Sequence, residues 1–229
     1  MTQTEALDGD AVFTQFARIT TALAAPSRLK LLDRLCQGEQ TVEQLAEAAG
    51  LSVPNASRHL RQLAEGRLAS VRRDPPRVYY RIADDAVVRF WFALRDLARK
   101  QLFELDRVIS ELIADKDRLA PMGRDELLAR MRDGEVLLLD VRPESEYKAG
   151  HIPGATSVPL AELQARLATL PPATEIVAYC RGPYCLLAVE AVGVLRVRGF
   201  KAVRLEDGFP EWKAAGLPVE SALRGAHVL

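Results

Sequence analysis

The chain has 229 residues, a length that suits two small domains or one large one. A hydrophobic fraction of 48%, with 14 Gly and 13 Pro, is ordinary for a globular protein and excludes disordered, collagen-like and low-complexity chains. Thirty-one Lys and Arg balance 31 Asp and Glu, so any contact with nucleic acid must come from a local cluster of charge.

No apolar run approaches the ~20 residues of a membrane span, and the opening MTQTEALDGD is acidic where a signal peptide is basic. A cytoplasmic protein with no membrane partner is expected. Cys36, Cys180 and Cys185 are too few for a disulfide framework. The last two fall close together after an apolar stretch, which points to chemistry. Cys36, near the end of a helix, reads as a small buried apolar residue.

A helix is expected around 12–23. Pro26 opens a second, with Leu29, Leu32, Leu35 and Cys36 at helical spacing before Gly38. Thr41 and Gln44 form a capping box for a helix that stops at Gly50. Ser52 can cap the next, which runs to Gly66 with Ala56, Leu60 and Leu63 as its buried stripe. Two short helices joined by a tight turn make a helix-turn-helix. The opposite face of the second carries Val53, Asn55, Ser57, Arg58, Arg61 and Gln62, side chains able to address base edges or phosphates in a major groove.

Residues 68–73 and 77–82 read as strands joined by a turn at Asp74-Pro75-Pro76, a wing. Between Arg58 and Arg81 seven arginines face only Glu65 and Asp74, the cluster needed for phosphate contacts. Asp84 then caps one long helix with Val87, Phe90, Leu94, Leu97, Gln101, Leu105, Val108 and Leu112 every three or four residues. Such a helix has no partner of its own size in so small a domain, so a two-fold homodimer is expected.

Residues 15–100 resemble the ArsR/SmtB family of winged-helix repressors through residues 22–32, 41–46, 57–63 and 78–82. The resemblance implies a homodimer on double-stranded operator DNA, with Ser52, Val53, Asn55, Ser57, Arg58, His59, Arg61, Arg72, Arg73, Arg77 and Tyr80 as its DNA-binding candidates. Where many members carry metal-sensing cysteines, this chain has Thr41 and Glu43, and residues 84–116 hold no His. No metal and no cofactor is expected.

A boundary falls near 117–122, where Pro121 and Gly123 follow a charged run, so domains of 1–117 and 118–229 are expected. Beyond it, 124–133 reads as a helix, 136–140, 175–179 and 202–205 as strands, and 160–169 and 186–198 as helices. The pattern is that of an α/β domain with a parallel sheet. Cys180 stands where a strand ends and a helix is about to begin, the place where such folds bind ligands. The loop Cys180-Arg181-Gly182-Pro183-Tyr184-Cys185 can curl tightly, and the following helix points its positive end into it, favouring a Cys180 thiolate.

With its flanks this loop resembles the rhodanese family, through residues 140–155, 177–182 and 205–218. The resemblance implies a sulfurtransferase in which Cys180 takes sulfane sulfur from a small donor, holds it as a persulfide cradled by the loop, and passes it to a thiol acceptor. Asp140 and Arg142 would support the site, His151 would be structural, and Arg181 would attract an anionic donor or balance the persulfide. Cys185 reads either as a resolving thiol or as a residue packed at a helix start. Phosphatase relatives need an Arg where Leu186 stands, which disfavours phosphoryl chemistry.

The two halves together lead to a repressor whose activity is coupled to sulfur or redox chemistry at Cys180. The alternatives are a sulfurtransferase that uses its winged helix to dimerise, and a repressor with a catalytically silent second domain.

Overall fold

The computed structural model describes residues 9–113 and 120–221. The chain forms two compact units, Met1–Val88 and Arg89–Leu229. The boundary expected at 117/118 lies outside the described residues.

In the first unit α1 (Gly9–Leu23), α2 (Pro26–Leu35), α3 (Val42–Ala49) and α4 (Val53–Glu65) surround a core that includes Leu31, Leu32, Leu35, Leu45, Ala56, Leu60 and Leu63. The α3 start follows its sequence signal: the Gln44 amide donates to the Thr41 hydroxyl at 3.3 Å and the Thr41 amide to the Gln44 side chain at 2.9 Å. Gly50, at φ 66°, ends α3 in the left-handed region that a side chain disfavours. Ser52 occupies the cap position of α4, but its side chain makes no capping bond. Pro54, in the first turn, removes one of the amides that a cap would satisfy.

The wing is the hairpin of β2 (Ala69–Asp74) and β3 (Arg77–Ile82), paired from Ala69 with Ile82 to Asp74 with Arg77. A two-residue strand β1 (Gln40–Thr41), too short to show in a sequence pattern, adds to the other side of β3. Helix α5 (Asp85–Gln101) follows, its start capped by the Asp84 carboxylate, which accepts the Ala86 amide at 2.7 Å. The single long helix expected here is interrupted at Leu102, and α6 (Phe103–Ile113) resumes beyond it. No Gly or Pro marks the break. There the Leu102 amide still bonds Ala98, while the Leu105 amide bonds the Leu102 carbonyl in a tighter turn.

The second unit is built on a parallel sheet of β4 (Val136–Asp140), β5 (Thr156–Ser157), β6 (Glu175–Tyr179) and β7 (Ala202–Arg204), in the order β5-β4-β6-β7. Alternate residues of β4 and β6 enter opposite layers. Leu139, Ile176 and Ala178 pack with Val192 and Leu195 on one side, and Leu138, Val177 and Tyr179 with Trp212 on the other. Helices α7 (Arg124–Arg132), α8 (Glu144–Ala149), α9 (Leu163–Arg166), α10 (Leu186–Val197) and α11 (Phe209–Ala214) complete it. The helix expected over 160–169 is only α9, flanked by one-turn 3-10 segments at Leu160–Glu162 and Leu167–Thr169. Since β6 ends at Tyr179 and α10 begins at Leu186, the loop 180–185 lies at the carboxyl edge of the sheet.

Candidate functional site

The first candidate site is the face of α4 and the wing. Ser52, Val53, Asn55, Arg58 and Arg61 are exposed on α4, Ser57 is half-buried, and Arg73 and Arg77 are exposed on the wing. Arg72 is exposed too, but pairs with Glu39 at 2.7 Å and Asp74 at 3.2 Å and lies 4.1 Å over the Tyr79 ring. Its charge is largely spent within the protein. Two sequence candidates are corrected. His59 and Tyr80 are 9% and 4% exposed and belong to the core, not to the DNA-facing surface. His59 follows Arg58 but falls beside Leu60 and Leu63 on the inward side of the helix, and Tyr80 points inward by strand alternation. Burial raises the Tyr80 phenol above its usual range.

The second candidate site is the cysteine loop. Cys180 is buried, and its thiol points at the Cys185 carbonyl at 3.5 Å and the Gly182 carbonyl at 3.9 Å. Cys185 is half-buried at the cap position of α10. The backbone amides of Arg181 and Leu187 act to lower the Cys185 thiol, and those of Gly182 and Ala188 act to lower the Cys180 thiol. Backbone amides at the start of α10 thus form a cradle that favours negative charge on the loop. The two thiols hold a single charge between them. A hydrogen bond from Cys180, with the two amides and the nearby Arg181, lowers the Cys185 thiol to about 6 against its burial. Burial and then Cys185 itself raise the Cys180 thiol well above the usual range.

Arg181 does not serve as an open cation. Its guanidinium grips Glu146 of α8, with Nε 2.9 and 3.0 Å from the two carboxylate oxygens, and the pair is 10% and 3% exposed. Arg181, expected to attract an anionic donor or balance a persulfide, is thus already paired with Glu146 while remaining close enough to act on the charge of both cysteines. Asp140 and Arg142 form a completely buried pair, Nη2 to Oδ2 2.6 Å, whose other bonds include one to the Gly150 carbonyl (2.7 Å) and one from the Tyr179 hydroxyl (2.6 Å). Through Tyr179, the last residue of β6, the pair is tied to the strand end that precedes Cys180. His151 is structural: its ring stacks on Tyr147 at 3.7 Å and Nδ1 lies 2.9 Å from the Tyr147 carbonyl.

The loop is held from its other side by α11. The Phe209 amide donates to the Cys180 carbonyl at 3.1 Å, and a Cβ on Gly208 would overlap the Arg181–Gly182 peptide. Gly182, at φ 149°, is itself confined to a region that L side chains rarely adopt. Pro183 and half-exposed Tyr184 complete the turn into Cys185.

Residues 25–71 match the family described as bacterial regulatory protein, arsR family, and residues 123–215 match the rhodanese-like domain. The HTH-type transcriptional regulator Rv0324 of Mycobacterium tuberculosis is 43% identical over 217 residues, 95% of each chain. The chain belongs to the arsR family. Its second domain is also 31% identical over 97 residues to a sulfurtransferase of Allochromatium vinosum, covering 42% of this chain and 89% of that one. The winged helix-turn-helix domain of Mb0332 from Mycobacterium bovis, described as homodimeric, is 38% identical over 44% of this chain and 94% of that one, with a TM-score of 0.41.

Three residues that sequence reasoning missed brace the loop from outside: Glu146, Glu211 and Arg95. Glu211 caps α11 by accepting the Gly208 amide at 3.1 Å, and it receives Arg95 Nη1 of α5 at 2.7 Å. Their partners lie 35 and 116 residues away in the chain, beyond the reach of any local motif. No helix among the described residues is long and apolar enough to cross a membrane.

Proposed function

We propose that the regulator represses by binding operator DNA as a homodimer through α4 and the β2–β3 wing, and that sulfur chemistry at Cys180 controls this binding. The DNA-facing part rests on exposed Arg58, Arg61, Arg73 and Arg77, the dimer on the uncovered apolar residues Phe13 and Phe16 of α1 and Phe90 and Leu97 of α5. The observation that carries the sulfur reading is buried Cys180 at the carboxyl edge of the sheet, its thiol 3.5 Å from the carbonyl of Cys185, a second cysteine at the start of α10.

Cys185, as thiolate, accepts the Cys180 proton. The Cys180 thiolate then attacks a sulfane sulfur of an inorganic polysulfide, a S–S bond of the donor breaks, and the shortened polysulfide leaves with the electron pair. Cys180 is left as a persulfide whose outer sulfur is anionic and lies in the amide cradle. In a second step the Cys185 sulfur attacks Sγ of Cys180, and hydrosulfide leaves with the proton that Cys185 had accepted. The two thiols are oxidised by two electrons to a disulfide, and the sulfane sulfur is reduced to hydrosulfide. An external dithiol reverses the change. Alternatively an external thiolate takes the outer sulfur and returns Cys180 to thiolate, which is sulfurtransferase turnover.

The test is peptide-mapped mass of the full-length protein after polysulfide treatment, beside a DNA-shift titration of the same sample on a duplex selected by the protein from a random library. Gain of one sulfur on Cys180, or a Cys180–Cys185 disulfide, with at least tenfold weaker DNA binding, is the expected result. An unmodified Cys180, or modification without any change in binding, overturns the reading.

A further inference from the structure

We propose that Arg95 is the residue through which the state of the cysteine loop is read by helix α5, a positioning role carried by the chain of neighbours Gly182, Glu211 and Arg95. The inference rests on the sulfur-responsive reading of the loop given above.

Glu211 stands between the loop and Arg95. Its carboxylate is only 12% exposed and serves three neighbours at once. One oxygen accepts the Gly208 amide at 3.1 Å, and the other accepts Arg95 Nη1 at 2.7 Å. Both stand 3.2 to 3.3 Å from where a Cβ on Gly182 would lie, so the carboxylate lies directly against the loop backbone. Burial raises the Glu211 carboxyl, and the Arg95 charge opposes that rise. The ionised form of Glu211 is therefore held in place by Arg95.

Arg95 meets the loop a second time. Its guanidinium lies 4.9 Å from the ring centroid of Tyr184, and on its own helix it lies 5.1 Å from Phe92 and 5.9 Å from Trp91. One side chain of α5, 11% exposed, thus touches Tyr184 directly and reaches Gly182 through Glu211.

The loop has little room to change shape without moving that side chain. A disulfide brings two sulfurs to about 2.05 Å and two Cβ atoms to about 3.8 Å, and an added sulfur needs space inside the cradle. Either change displaces residues 181–184. On the α11 side Gly208 is backbone in close contact and cannot yield, whereas the Glu211 side chain can. Tyr184, immediately before Cys185, moves with the loop. Both supports of Arg95 therefore shift together. Helix α5 follows β3 of the wing after only residues 83 and 84, and it carries the exposed Phe90 and Leu97 expected to meet a second copy. A change in α5 is placed by the chain itself to alter the DNA-binding half.

The experiment compares the full-length protein with Arg95→Gln and Arg95→Lys, each treated with inorganic polysulfide or left reduced. Peptide-mapped mass gives the modification of Cys180 and Cys185, and fluorescence anisotropy gives affinity for the library-selected duplex. The wild type is expected to lose at least tenfold in affinity on modification. Arg95→Gln is expected to be modified to the same extent yet bind equally, within twofold, in both states. Arg95→Lys, which keeps the charge beside Glu211, is expected to retain at least a threefold response, a rescue that a merely structural role would not give. Should Arg95→Gln fail to fold, Glu211→Gln tests the same link, with modification retained and the response lost. A tenfold response surviving in Arg95→Gln overturns this inference and leaves the sulfur reading standing. A wild type that is modified without changing its affinity overturns both.

Discussion

The basic face of α4 and the wing is made by residues within about one motif of each other, mostly facing solvent, whereas the cysteine loop buries Cys180 and is braced by contacts that span 35 residues (Arg181 to Glu146) and 116 residues (Glu211 to Arg95) of the chain. Exposed arginines on one rigid helix and hairpin act additively through long-range charge. Buried groups around a loop act as a network, in which removing one partner leaves another unsatisfied. The first site should therefore tolerate substitution gradually and the second should fail abruptly.

The largest effect expected is at the buried Asp140–Arg142 pair. Arg142→Met leaves Asp140 charged without its partner at zero exposure, and urea unfolding should show a loss of roughly 3–5 kcal/mol in the second domain. A loss under 1 kcal/mol would mean that the pair does not support the strand end. Next is Gly208→Ala, whose methyl group overlaps the Arg181–Gly182 peptide. It should cost about 1–3 kcal/mol by overpacking, measured by the same unfolding, and should prevent persulfide formation on Cys180.

At the exposed site, Arg58→Ala and Arg61→Ala should each weaken DNA binding by about 1–2 kcal/mol and lower the salt slope of affinity by about 1, with folding unaffected. Tyr80→Phe sharpens the same comparison from the other side: because the ring is buried, DNA affinity should stay within about twofold.

A smaller and more local effect concerns pH. A thiol lowered to about 6 is already thiolate above that pH, so alkylation of Cys185 by iodoacetamide should rise through about pH 6 rather than near the usual thiol range. The largest cause is the hydrogen bond from Cys180. Cys180→Ala removes it and should move the midpoint upward, and an unmoved midpoint would place the cause elsewhere.

The same contrast sets what the sequence made legible. Thr41 with Gln44, Asp84, and the stripe Ala56, Leu60 and Leu63 act over one helical turn or two, and each stands in the structure as its spacing implies. The parallel sheet was legible because β4 and β6 are continuous apolar runs. His59 and Tyr80 were misplaced because a polar tip on an apolar body gives no sign of its direction. Glu146, the partner of Arg181, was not legible because it lies on another helix, 35 residues away. The break at Leu102 carries no Gly or Pro, so nothing in the pattern marks it.

The most direct measurement of the central claim is a reporter driven by a promoter carrying the library-selected duplex, read with and without polysulfide, for the wild type and for Cys180→Ser at equal protein level. The account predicts at least tenfold induction with the wild type and none with Cys180→Ser, which should remain bound and repressing. Equal induction with both would contradict it, since the sulfur signal would then reach the DNA-binding domain without Cys180.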